Sequence, residues 1–68
     1  MAVVKVIELV GESPNGWEDA IQSAVAEASK TIRNISGVEV MNLTCSVDNG
    51  RITDYKCDVH IAFKVEGT

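Results

Sequence analysis

His60 is the only histidine of the chain, and Asp58 stands two positions before it. On a strand their side chains share a face about 6–7 Å apart. That is too loose for the base and orienting acid of a nucleophilic triad. Neither Cys45 nor Cys57 has a base partner at a defined spacing. His60 therefore reads as a solvated or interface histidine, and no enzyme is expected. Asp54, Asp58 and Glu66 are the candidate metal ligands. Asp54 and Asp58 lie about 13 Å apart on an extended strand, whereas a hard cation collects several oxygens at about 2.3–2.6 Å. One chain cannot close that shell, but copies arranged around a rotation axis could. The plainer reading is a solvated charged face. Gly11 to Gly16 has the GxxxxG spacing of a phosphate loop, but Trp17-Glu18 stands where Lys-Ser/Thr is required. The stretch reads as a helix-entry turn.

These residues must be positioned by a short chain. The 68 residues make one domain, 1–68, and a chain of this size buries only about 60% of its unfolded surface. Two cysteines are too few for a disulfide scaffold, so association is the expected source of stability. A net charge of −4 without a basic patch argues against nucleic acid. No apolar run approaches the roughly 20 residues of a membrane span, and Met1-Ala2-Val3-Val4 does not resemble a signal peptide. A cytoplasmic protein with reduced thiols is expected.

The element pattern is β-α-β-β. Val3 to Val10 is β-branched and apolar on both faces, which predicts a strand covered on both sides and ended by Gly11. Ser13 is the expected N-cap, with Pro14 at N1. Trp17, Ala20, Ile21, Ala24, Val25, Ala28, Ile32 and Ile35 recur at helical spacing. The small residues among them let the helix lie close to a sheet. Gly37 is the expected C′ stop, entering the left-handed region freely. Trp17 is expected in the core or at a subunit interface.

Two strands follow, near Val38–Val47 and Ile52–Val65. Asn49-Gly50 normally makes a two-residue turn. The apolar pattern instead favours a three-residue loop, Asp48-Asn49-Gly50, with Gly50 at the left-handed position of a bulge. That register pairs Leu43 with Tyr55 and Met41 with Cys57. It places the cysteines about 13 Å apart, beyond the roughly 7 Å Cα limit of a disulfide. Tyr55, Cys57, Val59, Ile61, Phe63 and Val65 then face the helix, while Asp54, Lys56, Asp58, His60, Lys64 and Glu66 face away. A right-handed crossover leaves room for the third strand between the first two. The predicted fold is α+β: a three-stranded antiparallel sheet of order 1-3-2 packed on one long helix.

From Val4 to Glu66 the chain resembles the dodecin family. The resemblance rests on Lys5-Val6-Ile7-Glu8-Leu9-Val10-Gly11-Glu12-Ser13, Gly16 and Glu18-Asp19-Ala20-Ile21. Further matches are Ala28, Lys30-Thr31, Glu39-Val40, Tyr55 and Phe63. The resemblance implies a single dodecin-like domain, self-association into a hollow homododecamer, and binding or storage of a small ligand. The family ligand is flavin, riboflavin or FMN, shielded rather than turned over. The positions matching the family's flavin site are Gly37, where flavin-binding members carry a stacking Trp, Lys56 in place of a Gln, and Thr44 in place of a basic residue. All three depart from the pattern. The alternative is a dodecin-like shell that binds metal ions such as calcium through symmetry-related carboxylates.

Overall fold

The computed structural model describes all residues from Met1 to Thr68. In chain order it contains β1 (Val4–Ser13), α1 (Trp17–Ser29), β2 (Ile35–Asp48) and β3 (Arg51–Lys64). The strands form one antiparallel sheet of order β1-β3-β2. The predicted fold class, element order and strand order are therefore those observed.

β1 does not stop at Gly11 but continues to Ser13. Gly11 is buried beneath the helix, and a Cβ there would fall on the carbonyl of Ala20 and crowd the side chain of Ala24. The glycine is thus a contact point rather than a terminator. It matches the small residues above it, for Ala20, Ala24 and Ala28 are the buried residues of α1.

The longer strand delays the helix. Gly16, at φ 139°, is the N-cap, so Ser13 is not. The Ser13 hydroxyl instead accepts the Asn15 N–H (3.0 Å) and donates to Asp19 Oδ2 (2.6 Å). It ties the connecting turn to a carboxylate in the first helical turn, where the dipole favours negative charge.

The far end of the helix also differs from expectation. α1 ends at Ser29, and the Ala28 carbonyl accepts N–H groups from Thr31 (3.2 Å) and Ile32 (2.9 Å). Asn34, not Gly37, takes the left-handed conformation, at φ 64°. Asn is the residue after glycine most tolerant of that region. Ile32 and Ile35 still pack against the core, but from the connection and from β2. Their helical spacing therefore overstated the length of the helix.

The hairpin is the two-residue type. Asp48 pairs with Arg51, and both Asn49 (φ 50°) and Gly50 (φ 75°) have positive φ, as a type I′ turn requires. The three-residue loop expected from the apolar pattern is wrong. The pattern is re-phased inside the strands instead, by unpaired residues at Thr53, Met41 and Ser36. Leu43 consequently pairs with Cys57 and Cys45 with Tyr55. The cysteines are then diagonal neighbours, about 7–8 Å apart, closer than the four-position separation expected, and both are free thiols.

The core is small. Cys57, Val59 and Ile61 are each 0% exposed and meet Ala20, Ala24 and Ala28, with Ile7, Leu9, Ile21 and Val25 around them. The helix packs over β1 and β3 and barely touches β2. Val38, Val40 and Leu43 of β2 are left exposed. On β1, Val4, Val6 and Val10 are exposed as well, up to 63% for Val10. The expectation that this strand is covered on both sides therefore fails within one chain, because the single helix shields only one face. The chain spans 51 × 20 × 13 Å, too thin for a second apolar layer. No helix is long and apolar enough to cross a membrane.

Candidate functional site

Strand alternation sends the even-numbered side chains of β3 to the face away from α1. Cross-strand pairing sets each beside one residue of β1 and one of β2. The rows run Val6–Ala62–Gly37, Glu8–His60–Glu39, Val10–Asp58–Asn42 and Glu12–Lys56–Thr44, with Asp54 opposite Ser46 beyond them. His60, Lys56 and the carboxylates of Glu8, Glu12, Glu39 and Asp58 share this surface.

His60 lies between two acids. Its Nε2 is 3.7 Å from Glu8 Oε2, and its Nδ1 is 3.9 Å from Glu39 Oε1. Asp58, the neighbour suggested by sequence spacing, instead acts on Glu8. A side-chain hydrogen bond between the two carboxyl groups, and the charge of Asp58, push the Glu8 pKa above its ordinary value. Loss of solvation adds to the rise, while His60 opposes it. Asp58 Oδ1 is buried and has no hydrogen-bond donor. An acceptor left in that condition carries a desolvation cost of about 1–3 kcal/mol, or more when charged. Glu8 and Glu39 were missed as partners of His60 because their place depends on strand register rather than on local spacing.

Thr44 and Lys56 stand directly opposite one another. Lys56 Nζ is 3.8 Å from Glu12 Oε2. Gly37 is opposite Ala62, six residues along β3 from Lys56 and so about 20 Å away. One chain therefore does not bring these three positions together. A Cβ on Gly37 would meet nothing within 4 Å. The space above it is a recess of about 280 Å³ whose lining includes Val6, Gly37, Glu39, His60 and Ala62.

Asp54, Asp58 and Glu66 also remain apart, with Glu66 beyond the end of β3. No three His, Cys, Asp or Glu side chains of one chain are grouped to hold a metal ion. The Cys57 thiol is pushed up in pKa by burial and by the charge of Asp58. It therefore stays protonated at neutral pH and is a weak nucleophile. Trp17 lies on the helix side of the sheet. Its indole N–H donates to the Thr44 carbonyl (3.0 Å), and its ring meets Tyr55 edge-on at 5.2 Å. It ties the start of the helix to the edge strand and offers no platform above Gly37.

One helix on one face of a β1-β3-β2 sheet, with both sheet edges open and a charged opposite face, defines a class of small βαββ proteins. The dodecin family model matches residues 3–66. The chain is 36% identical over 66 residues to the dodecin of Thermus thermophilus, covering 97% of this chain and 96% of that one. It is also 36% identical over 66 residues to the calcium dodecin of Mycobacterium tuberculosis, covering 96% and 92%. Among solved structures, dodecin from Streptomyces coelicolor superposes with a TM-score of 0.92 at 28% identity, over 98% of this chain and 96% of that one. The M. tuberculosis protein, described as calcium-chelating with a calcium-binding site, superposes at 0.81 with 33% identity, over 97% and 94%. This chain belongs to the dodecin family.

Proposed function

We propose that the chain assembles with copies of itself into a hollow dodecameric shell that binds and sequesters a small ligand without turning it over, and that the ligand is a metal cation such as calcium. The observation that carries the choice of ligand is the acidic row on the sheet. Glu8 and Glu39 flank His60, and the Asp58 carboxylate beside them has a buried oxygen with no donor. A cation supplies what that oxygen lacks. Calcium takes carboxylate oxygens in flexible numbers, and carboxylates brought from neighbouring copies complete the shell that one chain leaves open. Asp54 and Glu66 are the further acids that symmetry would add. The calcium-chelating relative supports the same reading.

Assembly is supported by the exposed valines of β1, the uncovered β2 and the two open strand edges. The cytoplasm, where the free thiols stay reduced, is the compartment this reading assumes.

Flavin is the second reading. The recess beside Gly37 favours it, with Thr44 and Lys56 of a neighbouring copy at the ring edge. The acids around the recess oppose the phosphate of FMN, so riboflavin is the better flavin on this face.

Calorimetric titration of the purified assembly with calcium tests the main reading, alongside light scattering and an absorbance scan. Saturable heat, a raised melting temperature and colourless protein near twelve subunits are expected. A monomer, or an assembly that ignores calcium, overturns the main reading. Yellow protein with bound flavin establishes the second.

A further inference from the structure

His60 carries the only imidazole of the chain. It stands on the central strand β3, directly opposite Glu8 of β1 and Glu39 of β2, so both ladders fix its place. The ring meets a carboxylate on each side: Nε2 is 3.7 Å from Glu8 Oε2, and Nδ1 is 3.9 Å from Glu39 Oε1. Neither separation is a hydrogen bond, which closes at about 2.7–3.2 Å. Two ligands of a tetrahedral ion, each about 2.0–2.2 Å from it, stand about 3.4 Å apart. The gap at Nε2 is nearer to that spacing than to a hydrogen bond.

The two sides of the ring differ. On the Glu8 side, Asp58 lies diagonally across the strand pair, is hydrogen-bonded to Glu8, and keeps one oxygen buried without a donor. Negative charge is therefore doubled at Nε2, where a cation gains most. On the other side Glu39 stands alone opposite the ring. The His60 side chain is 33% exposed, enough for an ion to enter from the open face of the sheet. The thiols take no part: Cys57 is buried against the helix, and Cys45 pairs with Tyr55 on that same side.

We infer that His60 Nε2 and Glu8 hold a first-row divalent ion of the zinc class, with Asp58 bracing Glu8, and that Glu39 accepts the Nδ1–H and orients the ring. The inference rests on the reading of this face as a cation site and narrows the ion. Calcium and magnesium take oxygen ligands, so for them the imidazole has no role. Imidazole suits zinc, copper and nickel. A metal-ligating histidine almost always donates its other ring N–H to a carboxylate or carbonyl, which fixes tautomer and orientation. One ring with a carboxylate at each nitrogen has both the ligand pair and the orienting partner in place. A single chain does not group three ligands, so water or the same pair from a neighbouring copy completes the shell. Calcium is left to the positions where only oxygen is offered.

The test uses the intact, untagged assembly, stripped of metal with a chelator and dialysed. Zinc and calcium are titrated calorimetrically in parallel, and cobalt serves as a spectroscopic probe. Zinc should bind saturably and more tightly than calcium. Cobalt should give visible d–d bands without the near-ultraviolet band of a thiolate ligand. His60→Gln should abolish saturable zinc binding. Glu39→Gln should weaken it about tenfold to a hundredfold, the scale for an orienting partner, and should shift the cobalt bands while the metal-free protein melts as wild type does. The Glu39 side chain is 74% exposed, so this variant keeps the test open if His60→Gln fails to assemble. No zinc binding by wild type, equal affinity for zinc and calcium, a thiolate band with cobalt, or unchanged zinc affinity in either variant overturns the inference. Calcium heat alongside any of these leaves the calcium reading standing. Zinc binding that depends on His60 and Glu39, with no calcium heat, supports the inference and removes calcium as the ion.

Discussion

Gly11 meets the carbonyl of Ala20 across the contact between β1 and α1, with no space between them for a side chain. Ala20 is 0% exposed, so the contact lies at the centre of the helix–sheet packing. Gly11→Ala forces helix and strand apart, because the obstacle is backbone and not a mobile side chain. Overpacking of this kind costs about 1–3 kcal/mol, and the upper end is expected. A urea melt of the variant should show a lower midpoint. Wild-type stability would mean that the helix can lift from the strand at no cost.

Charge at neutral pH should work against the fold at one place. The Glu8 pKa is raised above its ordinary 4.5, first by the hydrogen bond to Asp58 and then by the charge of Asp58. A carboxyl whose folded pKa is raised binds its proton more tightly when folded. Its contribution is fully present below the unfolded value and is lost as pH rises through the folded value. Stability from this pair should thus decline from about pH 4.5 upward. Glu8→Gln keeps a donor for Asp58 without the second charge. Thermal melts at pH 5 and pH 7.5 should show a smaller pH dependence for the variant and higher stability at pH 7.5. A variant whose pH profile matches wild type would remove the repulsion from the account.

The order of elements and the face of each β3 residue were legible because alternation in Tyr55 to Phe63 is local and uninterrupted. The hairpin register was not. Thr53, Met41 and Ser36 each shift the phase within a strand, and nothing in residue type marks an unpaired position. Asn49-Gly50 announced its own turn correctly, and the apolar pattern across the bulges argued it away. Gly11 misled for a related reason: a glycine that ends a strand and one that admits a helix look alike in sequence. The His60 surroundings depend on both sets of pairings, so Glu8 and Glu39 emerge only with the sheet assembled.

The turn can be tested directly. Gly50 holds φ 75° at the second centre of the type I′ turn, where an L side chain costs about 1–2 kcal/mol. Gly50→Ala should lower the urea midpoint by an amount corresponding to that cost. Asn49→Ala, at φ 50°, should also destabilise the chain, since the asparagine side chain tolerates the left-handed region better than alanine. Equal stability of wild type and both variants would be incompatible with this turn.

Gly37 offers the sharpest test of the ligand. It lies inside β2 and outside the left-handed region, and a Cβ there meets open space. Gly37→Trp therefore carries no backbone penalty of the kind expected of a helix-stopping glycine, and the assembled variant should melt close to wild type. The new ring would stand over the recess formed with Val6, His60 and Ala62. Aromatic stacking contributes about 0.5–1.5 kcal/mol beyond burial. Burying an indole of about 200 Å² at about 25 cal/mol per Å² adds several kcal/mol at most. Each 1.4 kcal/mol is about tenfold in affinity, so Gly37→Trp combined with Lys56→Gln should bind riboflavin about a hundredfold or more tightly than wild type. Lys56→Gln replaces a point charge with a paired donor and acceptor for the ring edge. Riboflavin fluorescence quenching is the measurement, with light scattering to establish that the variant still assembles. Strong quenching by wild type would show that the face binds flavin without a platform. An assembled double variant with no gain in affinity would show that Gly37 does not occupy the stacking position.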